Sequence, residues 1–278
     1  MESRLIAVRG VTYGVTLHGE SRTRRQTLVL LHGFTGSATI WTDLLPRLEA
    51  PGRQLIALDL LGHGRSDAPR DPARYNIEHC QEDILAILKS LDISVGEAVL
   101  LGYSMGGRIA LYAAFSGYLR ALILESASPG LADPVARQQR WQSDNALAAR
   151  IEREGIQSFI DEWEKLPLFA SQSRLPSETR RALREQRLRN REDGLANSLR
   201  GVGTGVQSAL HERLGELHLP VLLLAGELDS KFRAIACQMA ESLPEARLRI
   251  IPAAGHTVHV EQPALFAEAV NEFCDALC

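Results

Sequence analysis

The sequence predicts an α/β fold, in which a mostly parallel sheet carries helices on both faces and a helical segment is inserted into the chain. The first observation is an alternation of short apolar runs with stretches of helical periodicity, which is typical of strands buried on both sides. The second is a long middle section that is poor in strand patterns. The chain has 278 residues, 45% hydrophobic and 23% charged, and this composition excludes a disordered or fibrous protein.

Six apolar runs predict the strands of the sheet, and two amphipathic stretches predict helices beside it. Residues 76–91 place their apolar side chains on one helical face, and residues 263–277 form a closing helix that starts at a proline. The predicted strands span residues 26–31, 54–59, 98–102, 119–125, 219–225 and 247–252. Helices between consecutive strands imply right-handed crossovers and therefore a largely parallel sheet.

Residues 128–218 differ from the rest of the chain because they are rich in Arg, Gln and Glu and mostly helical in pattern. A segment of this kind inside an α/β pattern predicts a helical cap, or lid. The predicted organisation is therefore one core domain in two parts, 1–127 and 219–278, with the cap at 128–218.

Charge and cysteine content limit the partners to be expected. The formal net charge of −3 does not favour nucleic acid, and no apolar run approaches the roughly 18 residues of a membrane span. The four cysteines form no C-x-x-C pair, so neither a zinc site nor a disulfide framework is indicated. The start of the chain lacks the features of a signal peptide. We expect a cytoplasmic protein with no metal and no cofactor, and the sequence leaves open whether it is a monomer or a homo-oligomer.

A glycine-rich segment carries the strongest chemical signal in the sequence. Residues 102–107 read Gly-Tyr-Ser-Met-Gly-Gly and follow a predicted strand, directly before an apolar helical stretch. G-x-S-x-G between a strand and a helix is typical of a nucleophile elbow, a sharp turn that exposes the serine hydroxyl. Ser104 is therefore the candidate nucleophile or base. The glycine spacing does not match the G-x-G-x-x-G of dinucleotide-binding turns.

A serine at such a turn needs a histidine, and the histidine needs an orienting acid. In this architecture the order along the chain is Ser, acid, His, and each group follows a strand. Asp229 and His256 meet that order. Glu227 and Glu125 are weaker candidates for the acid, and we expect His259 to be a surface group or one that supports the site from behind.

Backbone N–H groups are expected to stabilise negative charge on the substrate oxygen. One comes from the residue after the nucleophile and one from an early loop. The candidates are the N–H groups of Met105 and Phe34, and His32 beside the second is expected to be structural. The loop of residues 59–66 also contains Asp59 and His63, and both are expected to brace backbone.

Together these segments resemble the α/β-hydrolase superfamily over essentially the whole chain. Further motifs narrow the resemblance to the 2-succinyl-6-hydroxy-2,4-cyclohexadiene-1-carboxylate (SHCHC) synthase family of menaquinone biosynthesis. These motifs are Gly-Tyr-Ser-Met-Gly-Gly-Arg at 102–108, Gly-Glu-Leu-Asp-Ser-Lys-Phe at 226–232, and Ser-Pro-Gly-Leu, Ser-Asp, Glu-Trp and Leu-Pro-Leu-Phe within 128–169. The resemblance implies a Ser-His-Asp triad, a small anionic substrate and elimination of pyruvate.

The same resemblance implies which residues bind substrate carboxylates and carbonyls: Tyr103, Arg108, Arg140, Trp163 and, with less support, Lys231. Arg suits such a role because its planar fork donates two parallel hydrogen bonds to a carboxylate. Only three of the 31 basic residues are lysines, an excess of Arg for which genomic base composition is the main explanation.

Two other functions remain open from the sequence. A hydrolase of esters or C–C bonds would use the same triad, because a fold does not fix a substrate. A ligand receptor built on the same fold could also retain the triad. Pyruvate release from the enolpyruvoyl substrate separates the first of these from the synthase, and signalling that survives Ser104→Ala would favour the second.

Overall fold

The computed structural model of the protein describes residues 1–19 and 26–277. The strands are β1 (Glu2–Val8), β2 (Val11–His18), β3 (Gln26–Leu31), β4 (Arg53–Leu58), β5 (Ala98–Tyr103), β6 (Ala121–Glu125), β7 (Val221–Gly226) and β8 (Ala246–Ile251). The helices are α1 (Leu45–Leu48), α2 (Ile77–Ser90), α3 (Met105–Ala114), α4 (Pro134–Trp163), α5 (Ser177–Leu188), α6 (Glu192–Val202), α7 (Ser230–Ser242), α8 (Val258–Glu261) and α9 (Pro263–Asp275).

The strands of the described residues form one sheet in the order β1-β2-β4-β3-β5-β6-β7-β8. The pairs from β4 through β3, β5, β6 and β7 to β8 are parallel, whereas β1 pairs antiparallel with β2 and β2 antiparallel with β4. All six predicted strands are confirmed, as is the mostly parallel α/β fold. The predicted helices at 76–91 and 263–277 correspond to α2 and α9.

The hairpin of β1 and β2 was not predicted. Its two-residue turn, Arg9-Gly10, has positive φ at both positions, 48° and 80°, as a type I′ turn requires. The β1 side chains are mostly exposed, so this strand lacks the apolar run by which the other strands were recognised. A glycine at the second position of the turn was the signal available in the sequence.

The two faces of the sheet bury separate apolar cores. Alternate residues of the central strands point to opposite faces, so Val29 and Leu31 of β3 join one cluster and Leu28 and Leu30 the other. Helices α2, α3 and α7 cover the first face, and α1 and α9 cover the second. The parallel strands therefore lie in a layer that helices cover on both faces. The loops at the carboxyl ends of these strands are anchored to that layer.

Helices α4, α5 and α6 lie between β6 and β7 in the chain and have a small apolar core of their own. Ile151, Phe159 and Ile160 of α4 pack there against Leu195 and Leu199 of α6. Helix α4 is broken at Gly155, whose φ of 82° is outside the helical region. These helices lie within the predicted cap at 128–218, and the exact boundaries of that cap stay a prediction.

No helix in the described residues is both long enough and apolar enough to cross a membrane.

Candidate active site

Ser104 sits on a strained turn between β5 and α3. Its backbone has φ 51° and ψ −106°, a conformation that non-glycine residues rarely adopt. The flanking glycines make the turn possible. A Cβ on Gly102 would lie 2.3 Å from the carbonyl oxygen of Gly106, and one on Gly106 would lie 2.5 Å from that of Leu31. The sequence pattern therefore produces the sharp elbow it predicts.

The three candidate triad residues lie in contact, with His256 between Asp229 and Ser104. His256 Nδ1 lies 2.7 Å from Asp229 Oδ2, and His256 Nε2 lies 3.1 Å from Ser104 Oγ. An ionised carboxylate only accepts hydrogen bonds, so Nδ1 carries the proton and Nε2 is free to accept the hydroxyl proton of Ser104. The second oxygen of Asp229 accepts the backbone N–H of Phe232 at 3.1 Å. The arrangement can move a proton from Ser104 to His256.

The weaker candidates have other partners. Glu227 accepts the N–H of Ala253 at 3.0 Å and so supports the loop before His256. Glu125 bonds to His259, whose Nδ1 lies 2.7 Å from Glu125 Oε2. His259 is 2% exposed, so of its two expected positions, at the surface or behind the site, the surface is excluded. Packing against neighbouring rings encloses it, which the sequence alone does not show.

The loop that carries Phe34 lies directly against the elbow. A Cβ on Gly33 would come within 2.7 Å of the Tyr103 ring and 3.4 Å of Ser104 Cβ. Met105 is the first residue of α3, where a backbone N–H has no acceptor within its own helix. Phe34 on the loop and Met105 at the start of α3 thus line the same cavity as Ser104, as an oxyanion site requires.

Two buried histidines support this loop from behind. His32 Nε2 accepts the N–H of Leu60 at 2.9 Å, and its Nδ1 lies 2.7 Å from the carbonyl oxygen of Gly33. The His63 ring lies 5.0 Å from the His32 ring. Burial lowers the pKa of His32 to about 4; burial together with the neighbouring His32 lowers that of His63 to about 3. Both rings are neutral at pH 7, and His32 braces backbone as expected.

A cavity of about 880 Å³ opens above Ser104, between the sheet and the cap helices. Its volume lies in the range of sites that enclose a small ligand. The ten residues predicted as triad, oxyanion or substrate-binding groups all line it: Phe34, Tyr103, Ser104, Met105, Arg108, Arg140, Trp163, Asp229, Lys231 and His256.

Arg108 and Arg140 bring positive charge to this cavity. Arg108 Nη1 donates to the carbonyl oxygen of Val202 at 2.8 Å and to the side chain of Gln207. Burial, with the nearby charge of Arg140, lowers the pKa of Arg108 to about 10, so the group stays charged at neutral pH. Arg140 donates through Nε to Asp144 Oδ1 at 2.8 Å. Burial raises the pKa of the Asp144 carboxyl.

Trp163 and Tyr103 add aromatic surface. The Trp163 ring packs 5.4 Å from Phe34 and 5.6 Å from Phe169, and its Nε1–H is buried with no hydrogen-bond partner among the described residues. Such an unpartnered donor suits a ligand carbonyl or carboxylate. The Tyr103 hydroxyl is bonded to Thr257 Oγ1 at 2.8 Å, and Tyr103 also lines the cavity.

Lys231 lies at the exposed start of α7, with its Nζ 5.6 Å from the centre of the Phe232 ring.

Sequence reasoning missed Arg174, which also lines the cavity. It missed the polar contacts of Thr257 as well, because Gln172 of the cap donates to Thr257 Oγ1 at 3.0 Å. Thr257 could have been noticed because it is a polar residue directly after the candidate histidine. Nothing in the sequence marks Arg174 among the many arginines of the cap.

Across residues 1–19 and 26–277, no group of three or more His, Cys, Asp or Glu side chains is placed to hold a metal ion.

The fold and the Ser-His-Asp contacts together define a class of protein, and comparison with known families agrees. The family model described as alpha/beta hydrolase fold matches residues 26–263. The chain belongs to the α/β-hydrolase family.

Individual relatives are more specific. A protein of Bacillus subtilis described as putative SHCHC synthase is 44% identical over 270 residues, which cover 96% of each chain. A Salmonella typhimurium protein named SHCHC synthase is 36% identical over 243 residues, covering 86% of this chain and 89% of that one. A solved structure described as MenH from S. aureus matches with a TM-score of 0.90 at 36% identity, over 95% of this chain and 98% of that one.

Proposed function

We propose that this chain is an SHCHC synthase of menaquinone biosynthesis, a lyase that eliminates pyruvate from 2-succinyl-5-enolpyruvoyl-6-hydroxy-3-cyclohexene-1-carboxylate. The observation that carries the proposal is one cavity that combines a Ser-His-Asp hydrogen-bond chain with two arginines. The named relatives, which extend over nearly the whole chain, support the same reaction.

The substrate is a multiply charged anion, and the cavity presents fixed cations to it. Arg108 is buried, held by Val202 and Gln207, and Arg140 is anchored through Nε to Asp144. Each guanidinium has further N–H groups with which to bind a carboxylate, and hydrogen bonds to charged groups contribute about 1.5–3 kcal/mol each. Trp163 and, at the mouth, Lys231 complete the binding groups, while the Tyr103 ring forms part of the wall.

The triad then acts as a base. His256, oriented by Asp229, takes the hydroxyl proton of Ser104, and Ser104 Oγ removes the ring proton alpha to the succinyl carbonyl. The electron pair of the broken C–H bond forms an enolate, whose oxygen is stabilised by the N–H groups of Phe34 and Met105. A single oxyanion donor of this kind is worth roughly 3–4 kcal/mol in the transition state.

Collapse of the enolate completes the elimination. Its electron pair forms a double bond between C2 and C3 of the ring. The original double bond then shifts from C3–C4 to C4–C5, and the bond between C5 and the enolpyruvoyl oxygen breaks. Pyruvate leaves as its enolate and takes a proton at carbon from the imidazolium of His256, by way of Ser104. The reaction consumes no water, and Ser104 returns to its starting state.

The test is pyruvate release by the purified protein, coupled to NADH oxidation by lactate dehydrogenase, with a nitrophenyl ester as the competing substrate. We expect rapid formation of one pyruvate per substrate consumed and slow ester turnover. Rapid ester hydrolysis without pyruvate release would contradict the proposal and favour a hydrolase.

A further inference from the structure

A second buried histidine–carboxylate pair lies behind the triad. His259 and Glu125 both have fully buried side chains, and His259 Nδ1 lies 2.7 and 2.8 Å from the two carboxylate oxygens. Neither residue lines the cavity. A buried pair of polar side chains is costly unless its hydrogen bonds are complete, so its presence next to the site calls for a reason.

Glu125 is bonded to both segments that carry the reacting groups. Its backbone carbonyl accepts the N–H of Ser104 at 2.9 Å. Its carboxylate accepts the backbone N–H of His259 at 3.0 Å, in the short helix α8 that follows His256. One residue at the end of β6 therefore ties the nucleophile elbow to the histidine loop.

Ring packing fixes the other half of the pair. The His259 ring lies 4.3 Å from the Trp41 ring, 4.9 Å from Tyr103 and 5.9 Å from Phe266. Its Nε2 is buried and has no hydrogen-bond partner in the described part of the chain. The ring therefore has no polar contact leading to the cavity, which argues against a proton relay and for a fixed support.

We propose that Glu125 and His259 are positioning residues that set the distance between Ser104 Oγ and His256 Nε2. The proposal rests on the role given above to the triad. Ser104 holds a strained backbone conformation, φ 51°, which persists only where surrounding contacts enforce it. A displacement of about 1 Å between reacting groups costs on the order of 100-fold in rate, so loss of this tie is expected to lower catalysis without changing the binding groups.

The experiment compares Glu125→Ala and Glu125→Gln with the wild-type protein. The first readout is the rate at which a fluorophosphonate labels Ser104, because this rate depends on activation by His256 and not on the natural substrate. The second is kcat and KM for pyruvate release. The Gln variant keeps an oxygen that accepts the His259 N–H, but sets an amide donor against the ring.

Asp83→Asn is the matched control. Asp83 is another fully buried carboxylic acid, and it accepts hydrogen bonds from Arg74 at 2.7 Å and Tyr13 at 2.6 Å, on the face covered by α2. None of these three residues lines the cavity. Loss of this carboxylate is expected to lower the melting temperature and to leave both labelling and kcat within twofold of wild type.

For Glu125→Ala we expect labelling and kcat to fall by roughly 30-fold or more with KM within about twofold. For Glu125→Gln we expect an intermediate loss, roughly 3- to 10-fold. If Glu125→Ala does not fold, Glu125→Gln decides alone. A labelling rate within twofold of wild type in the folded variants would overturn the proposal. Failure of the fluorophosphonate to label Ser104 in the wild-type protein would overturn it as well. Absence of pyruvate release in a wild-type protein that labels normally would overturn the proposed function and leave the positioning result standing.

Discussion

The two sides of the cavity are built differently. On the core side, Ser104, His256 and Asp229 come from loops after parallel strands and are bonded to one another at 2.7 and 3.1 Å. On the cap side, Arg140 and Trp163 come from the single broken helix α4. The Arg140 side chain is 45% exposed, and the Trp163 N–H has no partner among the described residues.

Under the proposed function, this difference separates the groups that carry out the reaction from the groups that bind the substrate. Groups that must hold a fixed geometry are supported by buried backbone and completed by their own hydrogen bonds. Groups that meet the ligand keep donors available for it. Substitutions of the triad on the core side are therefore expected to change mainly kcat, and substitutions of Arg140 and Trp163 on the cap side mainly KM.

The largest effect is expected for Ser104→Ala. Removal of the hydroxyl takes away the base that contacts the substrate, so kcat for pyruvate release should fall by roughly 10⁴-fold with KM little changed. Steady-state kinetics with the lactate dehydrogenase assay measures both constants. A large rise in KM at undiminished kcat would contradict the division between the two sides.

The neutral histidines behind the Phe34 loop predict a pH-dependent stability. The pKa of His32 is lowered to about 4 and that of His63 to about 3. The unfolded chain, with an ordinary pKa of 6.5, therefore binds protons first as pH falls. The stabilisation is complete above pH 6.5 and is lost as pH falls toward 4, by about 2 kcal/mol per ring at pH 5.

Urea unfolding at pH 7 and pH 5 measures this loss. In His63→Leu, which fills the buried site with an apolar side chain, the loss between the two pH values should be smaller than that of wild type by about 2 kcal/mol. Equal losses in the two proteins would show that His63 is not the source.

On the cap side, Arg140→Ala should raise KM for the synthase substrate by roughly 10- to 100-fold, because a hydrogen bond to a charged group is lost. Hydrolysis of an uncharged nitrophenyl ester should be unchanged. Arg153→Ala is the control on the same helix, since Arg153 is 67% exposed and pairs with Glu154 away from the cavity. Equal KM values for Arg140→Ala and wild type would remove Arg140 from the binding site.

The smallest effect is expected for Trp163→Phe, which keeps a six-membered aromatic ring beside Phe34 and removes the five-membered ring that carries the indole N–H. KM should rise roughly 3- to 10-fold, the worth of one neutral hydrogen bond. Trp141→Phe on the same helix is the control, because Trp141 is 43% exposed and does not line the cavity. The prediction fails if both variants change KM equally.

Sequence patterns predicted the core side better than the cap side, for a physical reason. The elbow around Ser104 and the order Ser, Asp, His depend on local backbone demands that few residue types meet. The burial of His259 could not be predicted, because it depends on contacts with Trp41 and Tyr103, which are distant in the chain. The cap motifs pointed to Arg140 and Trp163 only through the family resemblance, since a helix with many arginines does not itself show which one faces the cavity.

The central claim is that the triad removes a proton and does not acylate. The most direct measurement is mass spectrometry of the intact protein, quenched during turnover while pyruvate release is recorded in the same reaction. The account predicts pyruvate equal to the substrate consumed and an unmodified Ser104 at every time point. An adduct on Ser104 that forms and decays at the rate of turnover would contradict it.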